Sequence, residues 1–344
     1  MHVSPEIQRL ARLGFHFPGA MDMLTPAIMD RIAMDAEPTI VTSPNGGIPT
    51  YLNTYVDPEL VDVVFAPNRA VEIVGEEVQK GSWVTPTAVF IQTESTGEVS
   101  SYGDFNQNGV TGVNPTFPQR QNYIYQTMVN YGDREAEEYG LARINLANEK
   151  RKSAALVLNK FQNVSYFNGV ADLQCYGLLN DPSLPAPLSP GNGTWTAAAS
   201  GTTIYTDILS MFSELQTQTG GLVTMEDPIT LAMSPATQVN LLKLAVVGGS
   251  TPTGISTNVF DLLKKALPKL EIKTAVQYAT PSGNLVQMIA TSLEGHRTAV
   301  CAYSEKLRAH RIVQETSSFH QKFSQGTFGT IIYRPLAIAQ MLGV

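Results

Sequence analysis

The stretch "STGEVSSYGDFNQNG" (residues 95–109) is polar and rich in glycine, yet strand-like segments flank it on both sides. Before it, "SWVTPTAVFIQTE" (residues 82–94) alternates apolar and polar side chains, and after it "NYIYQTMVNY" (residues 122–131) does the same. A period of two residues is typical of β-strands. The sequence therefore predicts two long strands joined through a soft polar tip, a two-stranded arm over about residues 82–131.

This arm carries very little positive charge. Arg120 is the only basic residue between Gly81 and Gly132, and no lysine occurs between Lys80 and Lys150. A free-standing two-stranded hairpin is marginally stable in water. We therefore expect the arm to lie against another surface, within this chain or on a neighbouring one.

The composition supports a large core and restricts the classes of function. The chain has 344 residues, 43% of them hydrophobic, which is enough for one large domain or two ordinary ones. Charged residues make up 15%, against roughly 25% in typical soluble proteins, which is a hint of oligomerisation. A net charge of −7 disfavours a domain that grips nucleic acid, but not a wall that encloses it.

A long helix is predicted over about residues 133–164. Its first turns are acidic and its later turns basic, an order that complements the helix dipole. Some 30 residues would make a rod of roughly 45 Å. Apolar and small residues at spacings of three and four predict one packed face, which comprises Gly140, Ile144, Ala147, Ala154, Leu158 and Phe161.

Irregular and mixed segments precede and follow this helix. Residues 1–65 are rich in Pro and Gly after a short amphipathic helix, and we expect them to lie along another surface. Residues 201–278 read as helices alternating with strands, an α/β layer. The last sixty or so residues read as four strands, "NLVQMIATSL", "RTAVCAYSE", "RIVQETSSF" and "GTIIYRPLAIAQML".

The residues typical of catalytic or cofactor sites do not form recognisable motifs. The five histidines lack the spacing of zinc ligands, and "GGSTPTG" lacks the lysine of a phosphate-binding loop. Cys175 and Cys301 stand alone and read as buried thiols. No signal peptide or membrane span is predicted. The sequence predicts no enzyme, no metal and no cofactor.

The order of the parts resembles the major capsid proteins of tailed bacteriophages. These proteins have the Hong Kong 97 fold, which they share with the shells of encapsulin nanocompartments. The resemblance is carried by "STGEVSSYGDF", "NEKRKSAAL" and "YFNGVADLQCYGLLNDP", through Gly97, Tyr102, Gly103, Asp104, Lys152, Ala154, Ala155, Phe167, Gly169, Gly177, Leu178, Leu179 and Asn180.

The resemblance implies an α+β fold with the domains of that family. They are an N-terminal arm (1–65), the beginning of the P-domain with the extended E-loop (66–132, the loop at about 82–131), the spine helix of the P-domain (133–174), the A-domain (175–300) and returning strands (301–344). Gly97, Tyr102, Gly103, Asp104 and Phe105 are then candidates for contacts between subunits. Gly177, Leu178, Leu179 and Asn180 mark the start of the A-domain.

The function implied is that of a coat protein. It would self-assemble into hexamers and pentamers of an icosahedral shell around the double-stranded DNA of a tailed phage, in the cytoplasm of the bacterial host, and reside in the virion. Portal, scaffolding and cement proteins are the implied partners, with no sequence-specific binding of DNA and no membrane. An encapsulin-type shell protein is the nearest alternative; a receptor-binding tail component and an enzyme are more distant ones.

Two departures from relatives qualify this expectation. Some members cross-link their shells through a lysine of the E-loop, but here the loop has none and Lys80 lies at its base. We therefore expect non-covalent hardening. A long charged scaffolding segment is also missing before the arm, so scaffolding is expected to be a separate protein unless a propeptide has been removed.

Overall fold

The computed structural model describes residues 68–141, 146–191, 193–195, 199–247 and 255–344. The predicted N-terminal arm, residues 1–65, and the predicted packing residue Ile144 lie outside the described residues. The described part contains both helices and sheets, so the predicted α+β class is confirmed. The α-helices are α1 Ala70–Val74, α2 Asp133–Leu141, α3 Leu146–Asn168, α4 Gly201–Gln218, α5 Pro235–Gln238 and α6 Val259–Ala266.

The strands form two larger sheets and four two-stranded ribbons in the described part. Short 3-10 helices span Val239–Leu242, Val276–Tyr278 and Pro335–Ala337. The strands are β1 Glu77–Gln79, β2 Thr87–Val89, β3 Gln92–Gly97, β4 Thr111–Thr116, β5 Gln119–Gln121, β6 Tyr123–Gly132, β7 Ile229–Met233, β8 Leu244–Val247, β9 Ile255–Asn258, β10 Leu270–Thr274, β11 Ala279–Thr280, β12 Gly283–Ala290, β13 Ser292–Leu293, β14 His296–Arg297, β15 Ala299–Gln314, β16 Ser318–Ile332 and β17 Ile338–Leu342.

The first sheet has four strands in the order β1–β15–β16–β6. The strands β15 and β16 form a long antiparallel hairpin whose register shifts at several bulges, and β1 is parallel to β15. Helix α3 packs across β16 and β6. The small core between them is made by Tyr125, Val129, Ala154, Leu158 and Phe323.

The second sheet has five strands, with β12 paired to β7, β11 and β17, and β10 parallel to β7. Every residue of β7 is buried. Ser200 caps the start of helix α4, and its side chain accepts a hydrogen bond from the Thr203 amide. Its buried residues recur every three or four positions and join the largest core cluster, as Ile204, Ile208, Met211 and Leu215 show.

The hairpin of residues 87–121 differs from the predicted arm in its pairing. In the structure β3 pairs with β4 and β2 pairs with β5. The predicted second strand, residues 122–131, corresponds to β6, which instead pairs along its whole length with β16. The expectation that residues 122–131 form the second strand of the arm was therefore wrong, because period-two alternation predicts a strand without specifying its partner.

Two other segments correct the sequence-based expectations. "RIVQETSSF" (residues 311–319) is not one strand: residues 315–317 turn the chain between β15 and β16, and the Glu315 amide bonds to the Ser318 carbonyl. The predicted long helix is described as α2 and α3, with residues 142–145 outside the described part, and α3 continues to Asn168. Gly140 is exposed rather than part of a packed face.

Candidate assembly surfaces

The hairpin projects large apolar side chains into solvent. Every residue of β3 and β4 is exposed. The tip, residues 98–110, carries the most exposed rings: Tyr102 is 92% exposed and Phe105 wholly so. Other exposed apolar side chains of the hairpin are Val89, Ile91, Val99, Val110, Val113 and Phe117. A run of this kind on one surface marks a contact with another molecule.

The tip is held together by its own hydrogen bonds. The Asn106 amide donates to the Gly103 carbonyl at 2.9 Å, and the Asn106 side chain donates to the Ser101 carbonyl at 2.8 Å. The Tyr102 hydroxyl donates to the Asp104 carboxylate at 2.9 Å. These bonds fix a turn that exposes both Tyr102 and Phe105 and carries Asp104, the only carboxylate in the sequence between residues 99 and 132. All five predicted contact candidates, from Gly97 to Phe105, lie in or next to this tip.

The base of the hairpin is tied to the body by a buried ion pair. Arg120 donates to the Asp181 carboxylate at 2.7 Å, and the Asp181 side chain is completely buried. The guanidinium also lies 4.9 Å from the centre of the Tyr176 ring. Asn122 donates to the Thr85 carbonyl at 3.0 Å. The single basic residue of the predicted arm is therefore an internal anchor.

A second anchor holds the turn that leads into the hairpin. The Trp83 ring lies edge-on to His310, with ring centres 5.9 Å apart, and the Arg308 guanidinium lies 5.2 Å from the same indole. Both partners belong to β15. Such cation–π contacts contribute about 0.5–1 kcal/mol at exposed sites, so Trp83 fixes the direction in which the hairpin leaves the sheet.

A cleft of about 340 Å³ opens where the hairpin meets the end of β16. We call it the base cleft. Phe90 and Tyr333 form part of its wall, with ring centres 6.0 Å apart. Arg120 and Arg334 also line it, and the Nε atom of Arg120 is buried without a hydrogen-bond partner. The base cleft thus combines apolar walls with positive charge.

The spine helix α3 contributes a polar network as well as apolar packing. The Tyr166 hydroxyl accepts from Gln162 at 2.7 Å and donates to Glu77 at 3.0 Å. Lys306 pairs with the same Glu77 carboxylate. Burial, and then the charge of Glu77, raise the pKa of Tyr166 well above its usual value. This phenol stays neutral and ties α3 to β1 and β15.

The predicted packing residues of the spine occupy different environments. Ala154 and Leu158 are buried against β6 and β16, and Ala147 is half-buried. Phe161 packs against Tyr125, with ring centres 4.5 Å apart, while 38% of it remains exposed.

The motif Gly177, Leu178, Leu179 and Asn180 closes the end of the spine helix. The Leu178 amide bonds to the Tyr166 carbonyl at 2.8 Å and the Leu179 amide to the Phe167 carbonyl at 2.9 Å. The Asn180 side chain donates to the Asn168 carbonyl at 2.5 Å and accepts from the Gly177 amide at 2.7 Å. The last carbonyls of α3, which lack partners within the helix, are thereby satisfied.

The sequence did not indicate this capping role, nor the ion pair between Arg120 and Asp181. The scarcity of positive charge around Arg120 was a usable signal, because a lone cation in a long uncharged segment is a candidate for an internal partner. The three predicted groups of residues occupy separate places: the tip, the spine helix and its C-terminal end.

The described residues hold no group of three or more His, Cys, Asp or Glu placed to bind a metal ion. None of the helices in the described ranges combines the length and hydropathy needed to cross a bilayer.

Both thiols are buried, and we expect them to be unreactive in the native protein. Burial raises the pKa of Cys175 to about 11, and it raises the pKa of Cys301 further. The thiolate is the reactive form, and at pH 8 a thiol of pKa 11 is ionised to about one part in a thousand. Iodoacetamide should label neither cysteine at pH 8, and both after unfolding in urea, as mass spectrometry can count. Labelling of the native protein would contradict the burial.

The sequence matches the model of the Pa193 gp26 major capsid protein family over residues 39–343. The chain belongs to this family of major capsid proteins. Its role is therefore that of a shell subunit of a phage capsid, and its place is the virion. A comparison of the sequence with curated proteins finds no match.

Solved structures show that this capsid protein has the predicted Hong Kong 97-type fold. It resembles the capsid protein of Myoviridae phage XM1 with a TM-score of 0.73 at 15% identity, covering 87% of this chain and 100% of the other. It resembles the capsid of a native GTA particle with a TM-score of 0.62 at 10% identity, covering 88% and 99%. It also resembles the SrpI encapsulin of Synechococcus elongatus with a TM-score of 0.51 at 12% identity, covering 86% and 94%.

Proposed function

We propose that this capsid protein assembles into hexamers and pentamers of an icosahedral shell, in which the hairpin of each subunit lies across a neighbouring copy. The observation that carries the proposal is the exposure of the hairpin's apolar side chains, including Tyr102 and Phe105. Burying one such side chain contributes about 1.5–3 kcal/mol. A neighbouring subunit would supply the surface that a two-stranded ribbon lacks.

The domain names of the family would apply to the two sheets. The four-stranded sheet with α3 would be the P-domain, and the five-stranded sheet with α4 the A-domain. Many weak contacts between such subunits would act together to close the shell. The role would be structural rather than enzymatic.

The contents and partners of the shell follow from the same proposal. The shell would enclose the double-stranded DNA of a tailed phage without sequence-specific contacts, in keeping with a net charge of −7. It would assemble in the cytoplasm of the bacterial host, with separate portal, scaffolding and cement proteins. The family model favours this function over an encapsulin-type compartment. Particles that take up a cargo protein and no DNA would reverse that preference.

Hardening of the shell would be non-covalent. Lys80, the nearest lysine to the hairpin, lies 6.0 Å from the centre of the Tyr333 ring and donates its backbone amide to Tyr303. Both the side chain and the backbone of Lys80 therefore already make contacts within its own subunit. Denaturing electrophoresis of mature shells should show single subunits, and a ladder of linked subunits would contradict this part of the proposal.

The central test is electron microscopy of the purified protein after size-exclusion chromatography, expressed alone and with its scaffolding protein. Closed shells or rings of subunits are expected. The double substitution Tyr102→Ser with Phe105→Ser should abolish them, because it removes the two exposed aromatic rings of the tip. The subunit itself should remain within roughly 0.5 kcal/mol of the wild-type stability, as is usual for exposed sites.

Met225→Ser is the matched control. Met225 is an exposed apolar side chain far along the chain from the hairpin, so its loss tests for a general effect of reduced apolar surface. This variant should assemble like the wild type. Normal shells from the tip variant would contradict the proposal, as would failure of the wild type to form any particle in either expression.

A further inference from the structure

We infer that the base cleft is the docking site for the hairpin tip of a second copy of this chain. The inference rests on the proposed function and identifies which surface of the neighbour the hairpin meets. Its basis is a match between the chemistry of two surfaces that lie at opposite ends of the same hairpin.

The base cleft is an acceptor site for an aromatic and acidic segment. Its apolar wall includes Phe90, Pro118 and Tyr333, and the described residues that line it include two arginines and no acidic side chain. One terminal nitrogen of the Arg120 guanidinium donates to the Asp181 carboxylate, while its Nε N–H is buried and has no hydrogen-bond partner. Arg334 donates to the Leu293 carbonyl and forms no ion pair with a described residue, so it is the guanidinium that a carboxylate from another subunit would meet.

The tip is the segment of this chain with the complementary chemistry. It presents Tyr102 and Phe105 almost fully to solvent, together with the Asp104 carboxylate. From Gly81 to Gln119 the acidic residues are Glu94, Glu98 and Asp104, and there is no basic residue. Aromatic rings would enter an apolar cleft, and a carboxylate would meet guanidinium groups, which bind it with strong charge-assisted hydrogen bonds.

The tip cannot reach the base cleft of its own subunit. The strands β3 and β4 are paired from Gln92 with Thr116 to Gly97 with Thr111. Five residue steps of strand span about 17 Å, so this pairing holds the tip away from Phe90 and Arg120. The occupant must belong to another copy. A contact between the tip of one subunit and the base of the next is head-to-tail, and such contacts close into rings.

The size of the cleft fits this occupant. Its volume of about 340 Å³ lies within the range of about 300–1,000 Å³ that binding clefts usually have. A turn already fixed by internal hydrogen bonds, such as that of Asn106 to the Gly103 carbonyl, loses little freedom when it docks.

The test is disulfide trapping in assembled particles. The double variant Phe105→Cys with Thr93→Cys places one thiol on the tip and one on the lining of the base cleft. The native thiols Cys175 and Cys301 are buried and do not compete. Oxidation should convert most subunits into a ladder of linked species on non-reducing electrophoresis. Each single variant should give no ladder.

The control pair is Phe105→Cys with Leu242→Cys. Leu242 is exposed but belongs to the part of the chain around the five-stranded sheet. This pair should not form a ladder. Particles of the first pair without a ladder would overturn the inference. A ladder from Phe105→Cys with Tyr139→Cys instead would overturn the base cleft as the site, while the proposal that the hairpin lies on a neighbour would stand.

A charge exchange tests the inference independently, including the case in which the cysteine pair does not assemble. Asp104→Arg would bring a third cation to the cleft and should reduce the yield of particles at least tenfold. Asp104→Arg combined with Arg334→Asp should restore most of that yield. Normal assembly of the Asp104→Arg variant, or no recovery in the double variant while each subunit remains folded by circular dichroism, would overturn the inference.

Discussion

Gly177→Ala should destabilise the unassembled subunit by about 3 kcal/mol. A β-carbon at Gly177 would lie 2.3 Å from both the carbonyl carbon and the carbonyl oxygen of Phe167, and 2.5 Å from the Asn168 nitrogen. These are backbone atoms at the end of α3, and they are held in place by the amides of Leu178 and Leu179. Neither side of the contact can move without breaking the hydrogen bonds that close the helix.

Gly140→Ala is the matched control for this prediction. A β-carbon at Gly140 meets no atom within 4 Å, and Gly140 lies in helix α2. Alanine is the better helix former, so this variant should be more stable than the wild type by up to about 1 kcal/mol. Urea unfolding of dilute, unassembled subunits followed by circular dichroism measures both. Equal midpoints for Gly177→Ala and the wild type would show that the junction is looser than described.

Arg120→Met should destabilise the subunit by about 3–5 kcal/mol, because it leaves a buried charge without its partner. The Asp181 carboxylate is completely buried, and after the substitution it would keep only the amide and hydroxyl of Ser183. Since Arg120 lies in β5, where the hairpin returns to the body, its loss should also free the base of the hairpin. Hydrogen exchange at the Gln121 amide, which bonds to the Gln174 carbonyl at 2.9 Å, should increase.

Arg134→Met provides the control for the charge itself. Arg134 and Glu138 form an exposed pair on α2, with the arginine side chain 92% exposed. Pairs of this kind contribute about 0–1 kcal/mol, so this variant should unfold almost as the wild type does. Arg120→Met combined with Asp181→Leu should recover part of the stability, because no lone charge is then buried. Equal stability of the Arg120→Met and Arg134→Met variants would show that the ion pair between Arg120 and Asp181 does not anchor the hairpin.

The two anchors of the hairpin explain how an exposed ribbon keeps a defined direction. Arg120 fixes the returning strand to the segment that follows the spine helix, and Trp83 fixes the outgoing strand to β15. Arg120 and Tyr333 both line the base cleft. Arg120 therefore both anchors the subunit's own hairpin and lines the surface proposed to receive a neighbour's tip.

Local patterns were sufficient for the elements of secondary structure and for the family. The polar tip predicted a projecting hairpin, although with the wrong returning strand, and the spacing of Ala154 and Leu158 predicted side chains that are buried against β6 and β16. The helix of residues 201–218 and the strand of residues 229–233 were also readable, because their apolar periods differ. These features depend on residues close together in the chain.

The sequence by itself determined that a polar tip projects between strands, that the spine helix follows, and that the order of parts indicates a capsid protein. Only the tertiary structure decided that Tyr123–Gly132 pairs with β16, that Arg120 meets Asp181, and that Asn180 closes the spine helix. The alternation of side chains shows which residues of a strand share a face, but it contains no information about the distant strand that completes the pair. Contacts between residues far apart in the chain form only when whole helices and strands pack together, and no local sequence pattern specifies that packing.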